Sequence, residues 1–251
     1  MVERELDQGE KYLLDLLAQN SGYYDAVNEQ GEWVGKLVGY AGTYETDEGP
    51  KHWVGTRYWN FPRGAERDPM VMDEFITRVW LQIHDSCYDH GMPQGIHCMF
   101  GCPEGGIIPA YDLARQHRCC FSRADKKVLE AATPDRREKS RFIFGRHTVE
   151  SDWNVAIVDD VLNNTTATGE AIELVESSGA TVVLIICMIN RSPNGLYVYN
   201  YKGREIEILS AVTIPTKEYH QDDPEVAMDI SHGNVIWKPK DKWEELMQSI
   251  S

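Results

Sequence analysis

Positive charge is scarce in this sequence: 25 Lys and Arg stand against 40 Asp and Glu in 251 residues, a formal net charge of -15. Affinity for a nucleic-acid backbone comes mainly from clustered Lys and Arg, so that class of partner is excluded. Long hydrophobic runs are missing too. None approaches the ~18 residues that a membrane-spanning helix needs, and no membrane association is expected. The six cysteines contain no CxxC pair, and Cys119 and Cys120 are adjacent, so neither a disulfide framework nor a zinc site is indicated. The eight histidines form no i, i+4 pair and no HExxH, and no GxSxG surrounds Ser140 or Ser151. Protein-bound transition-metal chemistry and serine hydrolysis are therefore set aside. The first twenty residues mix both charge signs in an amphipathic pattern and lack the basic-then-apolar order of a secretory signal, which places the expected location in the cytoplasm.

What the chain does contain is an alternation of apolar strands and amphipathic helices. After the first helix, residues 21–64 are rich in Gly, Tyr and Trp and read as short strands and turns of a small antiparallel cap. Met72, Phe75, Val79, Ile83 and Cys87 repeat every three to four residues, which predicts a helix from about Pro69 to Tyr88. The strand GIHCMFG, the helix GGIIPAYDLARQ and the short strand CCFSR follow. The polar stretch ADKKVLEAATPDRREKS reads as a mobile loop. WNVAIVDD is an apolar strand that two acids end, TTATGEAIELVESSG a helix, and ATVVLIICMINR a fully apolar strand. Continuous apolar strands separated by helices predict an α/β fold, with a central parallel sheet flanked by helices and a small N-terminal cap or hood. The expected division is 1–66 for the first helix and cap, and 67–251 for the core with a C-terminal extension.

In such sheets ligands bind beyond the carboxyl ends of the strands, where the next helix presents free N–H groups and the positive end of its dipole. Val155 to Val158 drive a strand inward, Asp159 and Asp160 follow, and Asn163, Asn164, Thr165, Thr166 and Ala167 make a polar turn whose hydroxyls and amides can wrap a phosphate. One strand earlier, Glu104, Gly105 and Gly106 open a helix, and a Gly pair lets backbone N–H groups approach a diphosphate.

Together these segments resemble the type I phosphoribosyltransferases, most like the orotate phosphoribosyltransferases, over about residues 50–220. The resemblance implies that Asp159 and Asp160 bind ribose hydroxyls, directly or through magnesium and water. It implies that residues 163–167 hold the 5-phosphate, and that Glu104, Gly105 and Gly106 form the pyrophosphate loop. Arg123, with Lys126 and Lys127, heads a loop that neutralises the leaving pyrophosphate, Arg123 and Lys127 falling on basic family positions. Arg191 and the aromatic pair Tyr58 and Trp59 correspond to residues that hold the base, and Lys51 is a loose match to a Lys that precedes them. Four departures are visible. Thr165 replaces a Gly, Asn163 often a Thr, and Ala124 and Leu129 replace a Lys and a His; Arg136, Arg137, Lys139 and Arg141 stand further along as substitutes.

The implied activity is transfer of ribose 5-phosphate from 5-phosphoribosyl 1-pyrophosphate (PRPP) to a planar nucleobase such as orotate. Pyrophosphate is released, Mg2+ is bound through Asp159, Asp160, substrate and water, and the implied assembly is a homodimer. The alternatives are the same donor with a different acceptor, or a non-catalytic PRPP or nucleotide sensor.

Overall fold

The structure, a computed structural model, describes residues 5–28, 30–89, 95–130 and 139–250. The N-terminal part holds α1 (Gln8–Gln19), β1 (Tyr23–Asp25), β2 (Leu37–Tyr44), β3 (Lys51–Gly55), β4 (Arg57–Trp59) and a π-helical turn, Pro62–Glu66. The middle part runs α2 (Pro69–Asp89), β5 (Cys98–Gly101), α3 (Ile107–His117), β6 (Cys120–Glu130), β7 (Lys139–Phe144), β8 (Asn154–Leu162), α4 (Thr166–Glu176), β9 (Thr181–Asn190), β10 (Val198–Tyr201) and β11 (Arg204–Thr213). The tail adds α5 (Ala227–Ser231), β12 (Val235–Ile236) and α6 (Trp243–Gln248). Among the described residues no helix is long and apolar enough to cross a membrane.

The chain divides into two units, residues 1–67 with 215–251, and residues 68–214. The second unit contains a seven-stranded sheet in the order β10-β11-β9-β8-β5-β6-β7. Its five inner strands are parallel and its two edge strands antiparallel. Val155 to Val158 of β8 are wholly buried because both sheet faces are covered, which explains their uninterrupted apolar run. On one face Val155 and Ile157 pack with Ala171, Ile172 and Val175 of α4. In α2 the residues Met72, Phe75, Val79 and Ile83 are all buried, as their spacing predicts, while the side chain of Cys87 lies outside the described residues.

In the first unit, α1 opens with a capping box: the Asp7 side chain accepts from the Glu10 amide at 2.9 Å and Glu10 accepts from the Asp7 amide at 3.0 Å. Its Leu13, Leu14 and Leu17 are buried. β2 pairs with β3 and β1 with β4, both antiparallel as the cap reading expects, but in two separate sheets.

Three readings need correction. The C-terminal extension does not group with the core: β12 joins β2 in parallel, and Trp243 and Leu246 of α6 pack with Tyr24, Val38 and Tyr40. Two strand residues and one turn of helix carried too little pattern to reveal that partner. The reading of 124–140 as a loop is corrected at both ends, since β6 continues to Glu130 and pairs antiparallel with β7, which begins at Lys139. The β-forming residues Val128 and Phe142 find partners across the ladder, whereas residues 131–138, with Arg136 and Arg137, lie outside the described residues. Finally, the paired acids do not end β8: its pairing with β9 continues through Val161 and Leu162. Asp159 and Asp160 are therefore strand residues rather than a strand end, and the Asp160 amide donates to the Asp159 carboxylate at 3.0 Å.

Candidate functional site

β5 and β8 are neighbours in the centre of the parallel sheet, with Gly101 level with Val158. Beyond Gly101 the chain turns through Cys102 to Gly106 into α3. The Cys102 amide donates to the Val158 carbonyl at 2.8 Å, which pins the turn to β8 just before the acids. The glycines are there for space. A Cβ on Gly106 would fall 2.2 Å from the Val158 carbonyl oxygen and 3.0 Å from the Asp159 Cα, and one on Gly105 would fall 2.2 Å from the Asp160 carboxylate. The turn and the acid pair, 54 positions apart from Gly105 to Asp159, therefore meet at one edge of the sheet. The Gly106 amide itself is used inside the turn, donating to the Cys102 carbonyl at 3.0 Å, so its role is steric rather than that of a ligand donor. Glu104 is exposed, and the Pro103–Glu104 peptide is cis.

Asp159 and Asp160 are half-buried. Burial first, and the adjacent Asp160 carboxylate second, hold the Asp159 carboxyl well above the usual carboxylate range, while the charge of Lys126 acts in the opposite direction. Burial also pushes the thiols of Cys102 and Cys187 far up, with Asp159 adding to the effect. Neither thiol is a nucleophile at neutral pH, because the thiolate is the reactive form.

After β8 the segment 163–167 leads into α4. Thr165 is the N-cap, in the left-handed region at φ 59 and ψ 8, with its hydroxyl donating to the Asn164 carbonyl at 2.7 Å. The Asn164 side chain accepts from the Thr166 amide at 3.3 Å. Thr166 and Ala167 already belong to the first helical turn, where backbone N–H groups have no intrahelical carbonyl to meet and the dipole favours an anion. The Asn163 Oδ1 is buried without a hydrogen-bond partner among the described residues.

The basic residues are arranged differently from expectation. Arg123 is level with Gly101 on β6, lies 3.4 Å from Asp125, and lines a cleft of about 320 Å³ with Ile107, Tyr111, Phe121 and His147. Lys127 is exposed. Lys126, which carried no individual assignment from the resemblance, is the loop cation whose charge acts on Asp159. The signal that could have found it is strand alternation, hidden by reading 124–140 as a loop. Arg191 follows β9, only 5% exposed, with its amide donating to the Leu162 carbonyl at 2.9 Å. In the other unit, Trp59 is buried and its ring lies 5.6 Å from that of Tyr23, and the Tyr58 ring lies 6.0 Å from that of Trp243. Both aromatics thus contribute to packing of that unit. Among the described residues no group of three or more His, Cys, Asp or Glu could hold a metal ion.

No family profile matches the chain. Orotate phosphoribosyltransferase of Maricaulis maris is 32% identical over 89 residues, 35% of this chain and 40% of that protein. The enzyme of the same name from Parvibaculum lavamentivorans is 29% identical over 112 residues, 44% of this chain and 50% of that protein. The chain thus spans half or less of the length of these curated relatives. Among solved structures, orotate phosphoribosyltransferase from Aeropyrum pernix matches with a TM-score of 0.45 at 16% identity, over 70% of this chain and 87% of that one. UMP synthase of Leishmania donovani matches with a TM-score of 0.47 at 14% identity, over 82% of this chain and 36% of that one. The resemblance of this chain is to the type I phosphoribosyltransferases, most like the orotate phosphoribosyltransferases.

Proposed function

We propose that the chain transfers ribose 5-phosphate from PRPP to a ring nitrogen of a planar, orotate-like base and releases pyrophosphate. The observation that carries this reading is the meeting of the glycine turn with the acid pair, because a Cβ on Gly105 would strike the Asp160 carboxylate. A diphosphate beside that turn has its ribose carbon next to two carboxylates, and the N-terminus of α4 lies one short loop further on. Breaking the bond to pyrophosphate leaves positive charge on the sugar, as in glycoside cleavage. The carboxylates of Asp159 and Asp160 stabilise that charge and orient the ribose hydroxyls, and no covalent nucleophile is needed. The orphaned Asn163 Oδ1 gains a donor from a sugar hydroxyl or a bound water.

Two hard carboxylate donors, with no third protein ligand among the described residues, fit a magnesium ion that would be held jointly with substrate oxygens and water. Such an ion supplies charge neutralisation of the diphosphate. Arg123 at the level of Gly101 and the exposed Lys126, whose charge acts on Asp159, supply it from the chain. The resemblance also carries the expectation of a homodimer, which sedimentation of the purified chain checks.

A second reading, the same donor with another acceptor, draws on the burial of Arg191, which leaves little guanidinium surface for an orotate carboxylate. A third, binding without turnover, draws on the fully buried Ala124 standing where the family carries Lys. Magnesium-dependent pyrophosphate release from PRPP, with orotate, other pyrimidines and purines added in turn, separates the three. Orotate-dependent release supports the first, release with another base the second, and calorimetric PRPP binding with no release the third.

A further inference from the structure

Cys98, Cys119 and Cys120 gather at the end of the sheet away from the acid pair. Cys98 opens β5, level with Val155 of β8 on one side and with Cys120, which opens β6, on the other. Level residues of neighbouring parallel strands project to the same face. Cys98 belongs to the core that α4 covers, and so does Ala124, four residues beyond Cys120 on the same strand, so both thiols stand on that face. Cys119 precedes β6 and has no partner in the ladder with β5.

Distance decides which pair can bond. A disulfide spans about 4.4–6.8 Å between Cα atoms. Level residues of neighbouring strands stand about 4.8 Å apart, inside that range, whereas consecutive residues stand about 3.8 Å apart, outside it. The backbone therefore spaces Cys98 and Cys120 for a bond, and does not so space Cys119 and Cys120. Exposure decides the order of events. Cys120 is exposed, and both members of the pair are free thiols. Cys98 is wholly buried, its thiol donating to the Met99 carbonyl at 3.5 Å. Burial first, and the thiols of Cys119 and Cys120 after it, push its pKa up to about 12. A reagent in solvent reaches Cys120, while Cys98 meets only a sulfur that the adjacent strand carries to it.

We propose that Cys120 and Cys98 form a thiol–disulfide exchange site, in which Cys120 takes up a small-molecule disulfide from solvent and Cys98 resolves it into a bond between β5 and β6. In the first step the Cys120 thiolate attacks one sulfur of the small disulfide RSSR. A bond forms from Cys120 Sγ to that sulfur, the S–S bond of RSSR breaks, and one RS− leaves and takes up the proton that Cys120 lost. In the second step the Cys98 thiolate attacks Cys120 Sγ, and the other RS− leaves and takes up the proton from Cys98. Two protein thiols are oxidised by two electrons and RSSR is reduced to two RSH. The second step is the slower one, because the thiolate is the reactive form and burial keeps Cys98 protonated at neutral pH. The site stands independently of the phosphoribosyl reading.

The test is mass-spectrometric peptide mapping, without reductant, of the full chain sampled during incubation with glutathione disulfide. The expected course is a glutathione adduct on Cys120 first, then its replacement by a Cys98–Cys120 cross-link that excess thiol reverses. Cys120→Ser, a change at an exposed position, is expected to abolish the cross-link and leave Cys98 unmodified. Cys98→Ala is expected to leave the adduct standing on Cys120, and Cys119→Ser to form the cross-link at an unchanged rate. A wild-type adduct on Cys120 that never resolves, a cross-link that runs through Cys119, or modification of Cys98 in Cys120→Ser overturns the proposal.

Discussion

Thr165 occupies the left-handed region at φ 59, which a β-branched residue adopts at a cost of roughly 1–2 kcal/mol. Its hydroxyl is spent on the Asn164 carbonyl and caps no helix amide, so nothing in the loop offsets that cost. Glycine loses roughly 0.5–1 kcal/mol through its freer unfolded chain. Thr165→Gly is therefore expected to stabilise the fold by roughly 0.5–1 kcal/mol in chemical denaturation, and a destabilised variant contradicts the strain argument. The two glycines of the α3 turn separate fold from site. A methyl on Gly106 meets backbone, so Gly106→Ala is expected to cost about 1–3 kcal/mol of stability. A methyl on Gly105 meets the Asp160 carboxylate, which can rotate away, so Gly105→Ala keeps most stability and weakens PRPP binding. Equal stability losses in the two variants would sink that division. Asp159 gives a pH signature. Its folded pKa is raised, so its contribution to stability is fully present below the ordinary value of 3.8 and is lost as pH rises through the folded value. Asp159→Asn carries no charge at any pH and is expected to melt higher than the wild type at pH 7, the gap closing toward pH 3.8. A gap that widens on acidification reverses the sign and refutes it.

At the scale of elements, long periodic segments were legible and short ones were not. The buried stripe of α2 that includes Met72, Phe75, Val79 and Ile83 and the apolar runs of β8 and β9 announce themselves, because burial on one helix stripe or two sheet faces leaves no other pattern. That the glycine turn and the acid pair come to lie together was legible too, because parallel strands put their βα turns on one edge of the sheet. The β6–β7 hairpin was not. ADKKVLE alternates charge and apolar character weakly, its outer residues are exposed, and its stability comes from pairing with RFIF, a tertiary fact. Missing the hairpin concealed Lys126, since a loop has no faces and a strand has two. Tyr58 and Trp59 were legible as cap aromatics that either pack or stack on a base; the rings they meet, Trp243 and Tyr23, were not, because those come from separate elements.

At the scale of the molecule, the tail belongs to the first unit by way of two strand residues and one short helix. Val235, Ile236, Trp243 and Leu246 are all buried there. Removing residues 215–251 strips those side chains and opens the edge of β2, at about 1.5–3 kcal/mol for each buried apolar side chain. The 1–214 fragment is expected to lose protection from proteolysis at residues 5–67 while residues 68–214 stay resistant, as read by mass spectrometry of a limited digest. Uniform resistance along the fragment contradicts the division. The net charge of -15 adds a reason for local cations at the site: a polyanionic donor is repelled by the molecule as a whole, so its binding depends on a few nearby basic groups and the N-terminus of α4.

The central claim is that the acid pair and the glycine turn form a working phosphoribosyl site. The most direct test is magnesium-dependent pyrophosphate release from PRPP in the presence of orotate, measured for the wild type and for the Asp159→Asn, Asp160→Asn double variant. Release by the wild type and none by the variant is the expected result; release that survives the double substitution, or a wild type that does not bind PRPP at all, contradicts the claim.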